Sequence, residues 1–121
     1  MTRRIRVIIS EVPKVVVAPK DNFKFIVAEL LDENDGKELV IRANTEERCK
    51  FHVNILDLLI QEVRLCGLRV RCVGGGFITI NSETKTIRIC DDSGQFGKEP
   101  DRQETVRMLQ VAFPDYQILA Q

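Results

Sequence analysis

The strongest constraint on the fold is a pair of apolar segments separated by the clearest turn signal in the sequence. Residues 23–31 are apolar on both sides apart from Lys24 and Glu29. A run of Asp, Glu, Asn and Gly follows, and residues 37–43 form a second segment rich in strand-forming residues. Two such segments around a polar, glycine-containing loop predict a β-hairpin over residues 23–43.

The hydrophobic period changes from that of a strand to that of a helix near His52. The apolar residues at helical spacing are Leu56, Leu59, Ile60, Val63 and Cys66. Gly67 is a good stop signal after the last of them. The sequence leaves the first residue of the helix undecided, because Thr45 could cap a longer helix and Asn54 a shorter one. In either case His52 lies at or near the first turn of a core-packed helix.

The rest of the chain predicts further strands and a second helix. Three short strands are expected at residues 68–73, 77–81 and 86–90, with a turn at residues 82–84. Asp101 is expected to cap a helix over residues 102–112, with Glu104 at the capping-box position, before a last strand at residues 116–120. Residues 5–17 suggest an edge strand or extended arm, and residues 18–22 a turn. The order predicts one α+β domain over residues 1–121, a single mixed sheet of about six strands with two packed helices.

Composition excludes several classes of function. Lys plus Arg and Asp plus Glu number 18 each, so the balanced charge gives no support to whole-surface attraction to nucleic acid or membrane. The apolar part of the basic N-terminal segment is too short for a signal peptide, and no stretch approaches the roughly 20 apolar residues of a membrane span. The cysteines at positions 49, 66, 72 and 90 form no CxxC pair, and one histidine cannot complete a common zinc set. We expect a cytoplasmic protein with reduced thiols.

His52 is the single histidine of the chain. A lone histidine is more often structural than catalytic. At a helix start, however, the positive end of the helix dipole favours neutral imidazole, which can act as a base or a nucleophile near physiological pH. The free backbone N–H groups of the same turn also make a local anion site.

Three further features could serve an anion site, and each also has an ordinary structural explanation. The Ser93-Gly94 loop can present backbone N–H groups and a hydroxyl to an anion, or it is simply a surface loop. Lys24 either extends its ammonium to solvent at a strand end or meets a negative charge, and Arg42 of the neighbouring strand could reach the same area. The three glycines at positions 74–76 fit no nucleotide-binding motif, and a bulge or close backbone approach is the simpler explanation.

Five segments, taken in order, resemble the 14-kDa phosphohistidine phosphatase family, which also contains the sex-regulated janus proteins. They are VPKVVV and FKF within residues 12–25, FHVNILDLL at 51–59, RCVGGGFI at 71–78, DSGQFG at 92–97 and FPDYQI at 113–118. The resemblance runs from about residue 9 to residue 120 and rests on the order and spacing of these segments rather than on one motif.

This resemblance implies a small monomer that hydrolyses phosphohistidine on proteins, and for some members phospholysine, without a metal or other cofactor. It makes His52 the catalytic residue, as general base or nucleophile. The matching phosphate-binding residues are Lys24, Arg42, Val53 through its N–H, Ser93, Gly94, and Gln95 through its backbone N–H. The partners it implies are phosphohistidine-bearing proteins, and neither nucleic acid nor a membrane is expected.

An alternative remains open within the same family. Phe77 stands where the family usually has a basic residue, and Gln95 where a small residue is common. Asp91 and Asp92 place negative charge beside a loop meant for phosphate, where like charge weakens anion binding. These features predict a catalytically weak janus-type binding or regulatory protein, linked to sex-specific differentiation.

Overall fold

The computed structural model describes residues 9–17 and 22–121, which form one mixed sheet of six strands with two α-helices. The elements in chain order are a short 3-10 helix Ile9–Glu11, β1 Val15–Val17, β2 Asn22–Leu31, β3 Lys37–Thr45, α1 His52–Val63, β4 Arg69–Asn81, β5 Thr86–Cys90, α2 Arg102–Ala112 and β6 Gln117–Ala120. The predicted α+β fold is confirmed.

The sheet places β2 at its centre. The strand order is β1-β3-β2-β4-β5-β6. The pairs β2–β3, β2–β4 and β4–β5 are antiparallel, whereas β1–β3 and β5–β6 are parallel and lie at the two edges. The predicted hairpin is confirmed, and Asp32 closes its turn by accepting hydrogen bonds from the N–H groups of Asn34 and Gly36.

Each face of the sheet carries one helix and one apolar core. Successive side chains of a strand point to opposite faces, so β2 contributes alternately to both cores. The core on the α2 side includes Phe23, Phe25, Val27, Ile41, Ile78, Ile87, Ile89, Met108 and Leu109. The core on the α1 side includes Ile26, Ala28, Leu30, Val40, Ile55, Leu59 and Val63. Because both faces of β2 are covered, its sequence is apolar on both sides.

The glycine segment lies inside a strand, so the prediction of two strands at 68–73 and 77–81 is wrong. β4 is continuous over 13 residues. Its pairing with β2 shifts between Val27 and Ala28, which face Gly74 and Cys72, so Val73 is the extra residue of a β-bulge. A Cβ on Gly75 would lie 2.1 Å from the carbonyl oxygen of Phe25. The glycines therefore serve a bulge and a close backbone approach, and the strand continues through them.

α1 begins at His52, and neither of the two predicted caps is its N-cap. The N-cap is Phe51, whose N–H donates to the side-chain oxygen of Asn54 at 2.9 Å. Asn54 is therefore not the N-cap but the third residue of the helix, and its side chain accepts the hydrogen bond of the N-cap N–H. The helix ends at Val63, about one turn before the predicted end, and Gly67 follows in the left-handed conformation with φ 72°.

α2 has the predicted bounds and the predicted cap. The Asp101 carboxylate accepts a hydrogen bond from the N–H of Glu104 at 3.2 Å. The Glu104 carboxylate pairs with Arg107 one turn later.

The N-terminal prediction is confirmed only in part. Of the strand or arm expected at residues 5–17, Val15–Val17 is a strand, which pairs in parallel with β3. Residues 5–8 and most of the expected turn at 18–22 lie outside the described residues.

Candidate active site

The site is built around the first turn of α1, where the chain turns from the polar segment after β3 into the helix. His52 is the first helical residue and its side chain is only 5% exposed. The apolar spacing of α1 turns Ile55 and Leu59 into the core. This packing fixes the rotation of the helix and directs His52 toward β4.

The imidazole of His52 is oriented by the backbone of the glycine segment. Its Nε2 lies 2.9 Å from the carbonyl oxygen of Gly76. A carbonyl oxygen only accepts hydrogen bonds, so Nε2 carries the proton and donates it. In the neutral ring, Nδ1 then carries the lone pair, and a histidine acts as a base or nucleophile through this atom.

The surroundings of His52 favour this neutral form. Burial lowers its pKa below the ordinary value of 6.5, and the positive charge of Lys24 lowers it further. The hydrogen bond to Gly76 acts in the opposite direction but does not outweigh them. His52 is therefore neutral at physiological pH, the state required of a base or nucleophile.

Lys24 lies on the same side of the sheet, and both Lys24 and His52 contact the ring of Phe77. Lys24 and Phe77 are paired across β2 and β4. The Lys24 Nζ is 5.4 Å from the centroid of the Phe77 ring, and the His52 ring meets the same phenyl group edge-on at 5.8 Å. Phe77 is 39% exposed, so this ring forms an apolar wall at the mouth of the site. Lys24 also forms an ion pair with the exposed Glu46 at 3.6 Å.

The loop after β5 is held in shape by Ser93, which is 2% exposed. The Ser93 hydroxyl oxygen accepts hydrogen bonds from the N–H groups of Gln95 at 3.2 Å and Phe96 at 3.1 Å. Ser93 and Gly97 also exchange backbone hydrogen bonds. Gly97 then accepts from the N–H of Gly75, which fastens the loop to β4.

One hydrogen bond joins this loop to α1. The N–H of Val53 donates to the side-chain oxygen of Gln95 at 2.9 Å. Gly94 lies at the exposed tip, where a Cβ would meet nothing within 4 Å. The structure thus brings His52, Val53 and the Ser93–Gln95 loop together, with Lys24 beside them across Phe77.

Arg42 is the predicted site residue that the structure places apart. Its guanidinium is buried and forms a two-pronged ion pair with Glu62, with Nε–Oε1 at 2.9 Å and a second N–O contact at 2.7 Å. Glu62 lies near the other end of α1, about 15 Å along the helix from His52. The contacts of Arg42 give no support to a role in phosphate binding, which stays a prediction.

Two elements of the site were not predicted from the sequence. The first is the Gly76 carbonyl that orients His52, since the glycine segment indicated only a bulge or close approach. The second is a buried network behind it, in which Arg102 donates to the carbonyl oxygens of Gly75 and Asp91 and forms an ion pair with Glu99. No sequence motif marks Arg102, because its role depends on chain segments that meet only after folding.

Neither a group of metal-ligating side chains nor a helix that could cross a membrane is found in the described part of the chain. Within residues 9–17 and 22–121, no three or more His, Cys, Asp and Glu side chains are grouped so as to hold a metal ion. In the same ranges, neither helix has the length and apolar character needed to cross a bilayer.

Fold and site together define a small α+β domain with a neutral histidine at a helix N-terminus, beside a loop and a strand lysine. A family model described as the Janus/Ocnus family (Ocnus) matches residues 9–117. Sex-regulated protein janus-A of Drosophila yakuba is 34% identical over 110 residues, which cover 91% of this chain and 79% of that protein. Janus-A of Drosophila melanogaster is also 34% identical, with the same coverage. The chain therefore belongs to the Janus/Ocnus family, as the sequence resemblance predicted.

A more distant similarity connects the chain to a named enzyme. The 14 kDa phosphohistidine phosphatase of Sus scrofa is 23% identical over 117 residues, covering 91% of this chain and 90% of that protein.

Proposed function

We propose that the protein is a protein-histidine phosphatase that hydrolyses phosphohistidine, and also phospholysine, on proteins without a metal. The observation that carries the proposal is the geometry of His52, whose imidazole is fixed through Nε2 with the Nδ1 lone pair left for chemistry. Burial and the Lys24 charge, which lower the pKa of His52, favour the neutral form that this chemistry needs. The distant similarity to a phosphohistidine phosphatase supports the same reaction class.

His52 can act in either of two ways, and both use the Nδ1 lone pair. As a base, Nδ1 takes a proton from water while the water oxygen bonds to phosphorus and the substrate's P–N bond breaks, and the leaving nitrogen takes up a proton. As a nucleophile, Nδ1 itself bonds to phosphorus as the P–N bond breaks and the leaving nitrogen takes up a proton. Water then hydrolyses the phosphoryl-His52 to phosphate and regenerates the histidine. The lone pair would be lost on protonation in either case.

The surroundings supply what phosphoryl transfer needs most, which is positioning and positive potential around the phosphoryl oxygens. The Lys24 side chain is 15% exposed, so solvent screens its charge only in part. The Val53 N–H in the first turn of α1 lacks an acceptor within the helix, and the N-terminal end of a helix attracts anions. In the proposed complex the phosphoryl group lies between these donors and the Ser93–Gln95 loop.

Phosphate release from a phosphohistidine-bearing protein tests the proposal. We expect His52→Gln to lower kcat/KM by about 10²- to 10⁴-fold, the range typical of losing an acid–base group. Gln61→Ala, on the exposed side of α1, is the matched control and should leave the rate unchanged. Added chelator should have no effect. Equal rates for the parent protein and His52→Gln would contradict a catalytic role for His52.

A single-turnover experiment with labelled substrate separates the two roles of His52. Because the chain has one histidine, label found on histidine of this protein, once it is separated from the substrate after acid-free quenching, can only be on His52. A labelled intermediate indicates the nucleophile, and its absence during normal turnover indicates the base.

Two observations favour a second candidate, a janus-type binding or regulatory protein with little turnover, linked to sex-specific differentiation. The side-chain oxygen of Gln95 already accepts the hydrogen bond of the Val53 N–H, and Phe77 packs against His52. This candidate predicts that a phosphohistidine peptide binds without hydrolysis. Turnover by the parent protein at rates typical of enzymes would exclude it.

For the proposed phosphatase, the partners are phosphohistidine-bearing proteins, the site of action is the cytoplasm and the working form is a monomer. Size-exclusion chromatography with light scattering tests the last point.

A further inference from the structure

The Gln95 side chain lies where the proposed function needs a phosphoryl oxygen. Val53 is the second residue of α1, so its N–H has no acceptor within the helix. Gln95, 42 positions away in sequence, provides that acceptor at 2.9 Å. The donor expected to hold a phosphoryl oxygen is thus bonded to an oxygen of the protein itself.

The loop geometry lets this side chain leave without moving the backbone. Ser93 and Gly97 fix the base of the loop, and the Ser93 hydroxyl oxygen fixes the backbone N–H of Gln95. The Gln95 side chain is exposed and extends beyond these anchors. It is joined to α1 by the hydrogen bond that it accepts from the Val53 N–H. Rotation of the side chain into solvent would free the Val53 N–H while the loop stays folded.

We propose that Gln95 is an internal competitor for the substrate, its carboxamide oxygen occupying one phosphoryl-oxygen position until the substrate displaces it. The proposal rests on the proposed function, since it assigns this position to a phosphoryl oxygen. A hydrogen bond from the N–H to a charged phosphoryl oxygen is about twice as strong as one to a neutral amide oxygen, so displacement is favourable for a phosphoryl group. Gln95 thereby weakens binding without blocking it.

The size of the effect follows from the strength of the bond that is displaced. A hydrogen bond between neutral groups corresponds to a net factor of about 2 to 13 in an equilibrium constant. The apparent affinity for phosphate is the intrinsic affinity multiplied by the fraction of the protein in which the Val53 N–H is free. We therefore expect removal of the Gln95 amide to tighten phosphate binding by about 3- to 10-fold.

Titration of inorganic phosphate, followed by calorimetry and by the amide resonance of Val53, tests the proposal. Gln95→Ala removes the carboxamide, and Gln95→Asn keeps it but shortens the side chain by one methylene. Both should lower the Kd of phosphate by about 3- to 10-fold and shift the Val53 amide resonance of the free protein. Gln61→Ala, an exposed glutamine of α1, should change neither quantity.

A Kd that is unchanged or raised in Gln95→Ala would overturn the proposal, and a raised value would make Gln95 a ligand of the phosphate. Phosphohistidine turnover, measured on the same variants, separates this failure from that of the proposed function. Turnover that depends on His52, with the same KM in Gln95→Ala, overturns the role of Gln95 alone. Tighter phosphate binding in Gln95→Ala without turnover in any variant supports the role of Gln95 and overturns the phosphatase. Phosphate binding absent from every variant overturns both.

Discussion

His52 donates a hydrogen bond from Nε2 to the carbonyl oxygen of Gly76 over 2.9 Å, and this one contact sets both the tautomer and the orientation of the histidine. It joins the start of α1 to the glycine segment of β4. A Cβ on Gly76 would lie 2.5 Å from the carbonyl oxygen of Cys90, so the close approach of β5 requires a glycine there. The position of the His52 ring is therefore fixed by a contact with the strand backbone.

The titration of His52 should be shifted by Lys24. Burial and the Lys24 charge both lower the pKa of His52 below 6.5, so removing the charge in Lys24→Met should raise it. The resonances of the single histidine, followed by NMR against pH, measure this directly. If the proposed function holds, kcat/KM should rise with pH as His52 loses its proton, and the midpoint of that rise should move to higher pH in Lys24→Met.

Lys50→Met is the matched control for the titration. Lys50 precedes the helix and lies over the exposed Phe51 ring, 5.7 Å from its centroid. We expect Lys50→Met to leave the pKa of His52 unchanged. A His52 pKa at or above 6.5 in the parent protein, or no response to Lys24→Met, would contradict the proposed electrostatics.

The glycine segment should tolerate no side chain at Gly75. A Cβ there would lie 2.1 Å from the carbonyl oxygen of Phe25, which belongs to the paired central strand and cannot move aside cheaply. We expect Gly75→Ala to lower the free energy of unfolding by about 3 kcal/mol or more, measured by urea denaturation. Gly94→Ala, where a Cβ meets nothing within 4 Å, should change it by less than about 0.5 kcal/mol. Equal effects would show that β4 is not packed as described.

Arg102 should be the most costly charged residue to remove from the interior. It is 7% exposed and pairs with Glu99, which is 4% exposed. Arg102→Met would leave the Glu99 carboxylate buried without its cation, which we expect to destabilise the protein by about 3–5 kcal/mol. The double variant with Glu99→Gln should lose less than the sum of the two single changes, because the uncompensated charge is then gone. Additive losses in denaturation would contradict a coupled pair.

The Arg42–Glu62 pair should matter for stability rather than for binding. Arg42 is 5% exposed and its pairing holds the middle of β3 to α1. Because Glu62 is partly exposed, we expect Glu62→Ala to cost about 2–3 kcal/mol, somewhat less than a fully buried pair. Arg42→Met should likewise act on thermal stability and leave KM for phosphohistidine near the parent value. A raised KM in an Arg42→Met protein of normal stability would instead support the phosphate-binding role predicted from the sequence.

Local signals in the sequence sufficed for most of the elements. The β2–β3 hairpin and α2 with its Asp101 cap could be predicted because period, turn residues and capping residues are all short-range properties. The two strands predicted around the glycines were wrong because Gly74–Gly76 looks like a break to any local rule. Only the neighbouring strand β2 shows that β4 continues through a bulge.

The sequence by itself determined that His52 lies at or near the first turn of a core-packed helix and that the chain resembles a phosphohistidine phosphatase family. Only the tertiary structure decided which ring nitrogen is free, that Lys24 and His52 both contact Phe77, and that Gln95 reaches Val53. That Arg42 pairs with Glu62 is also known only from the tertiary structure. The physical reason is that apolar periodicity is written along the chain, whereas the partner of a polar side chain depends on which distant segments folding brings within hydrogen-bonding distance.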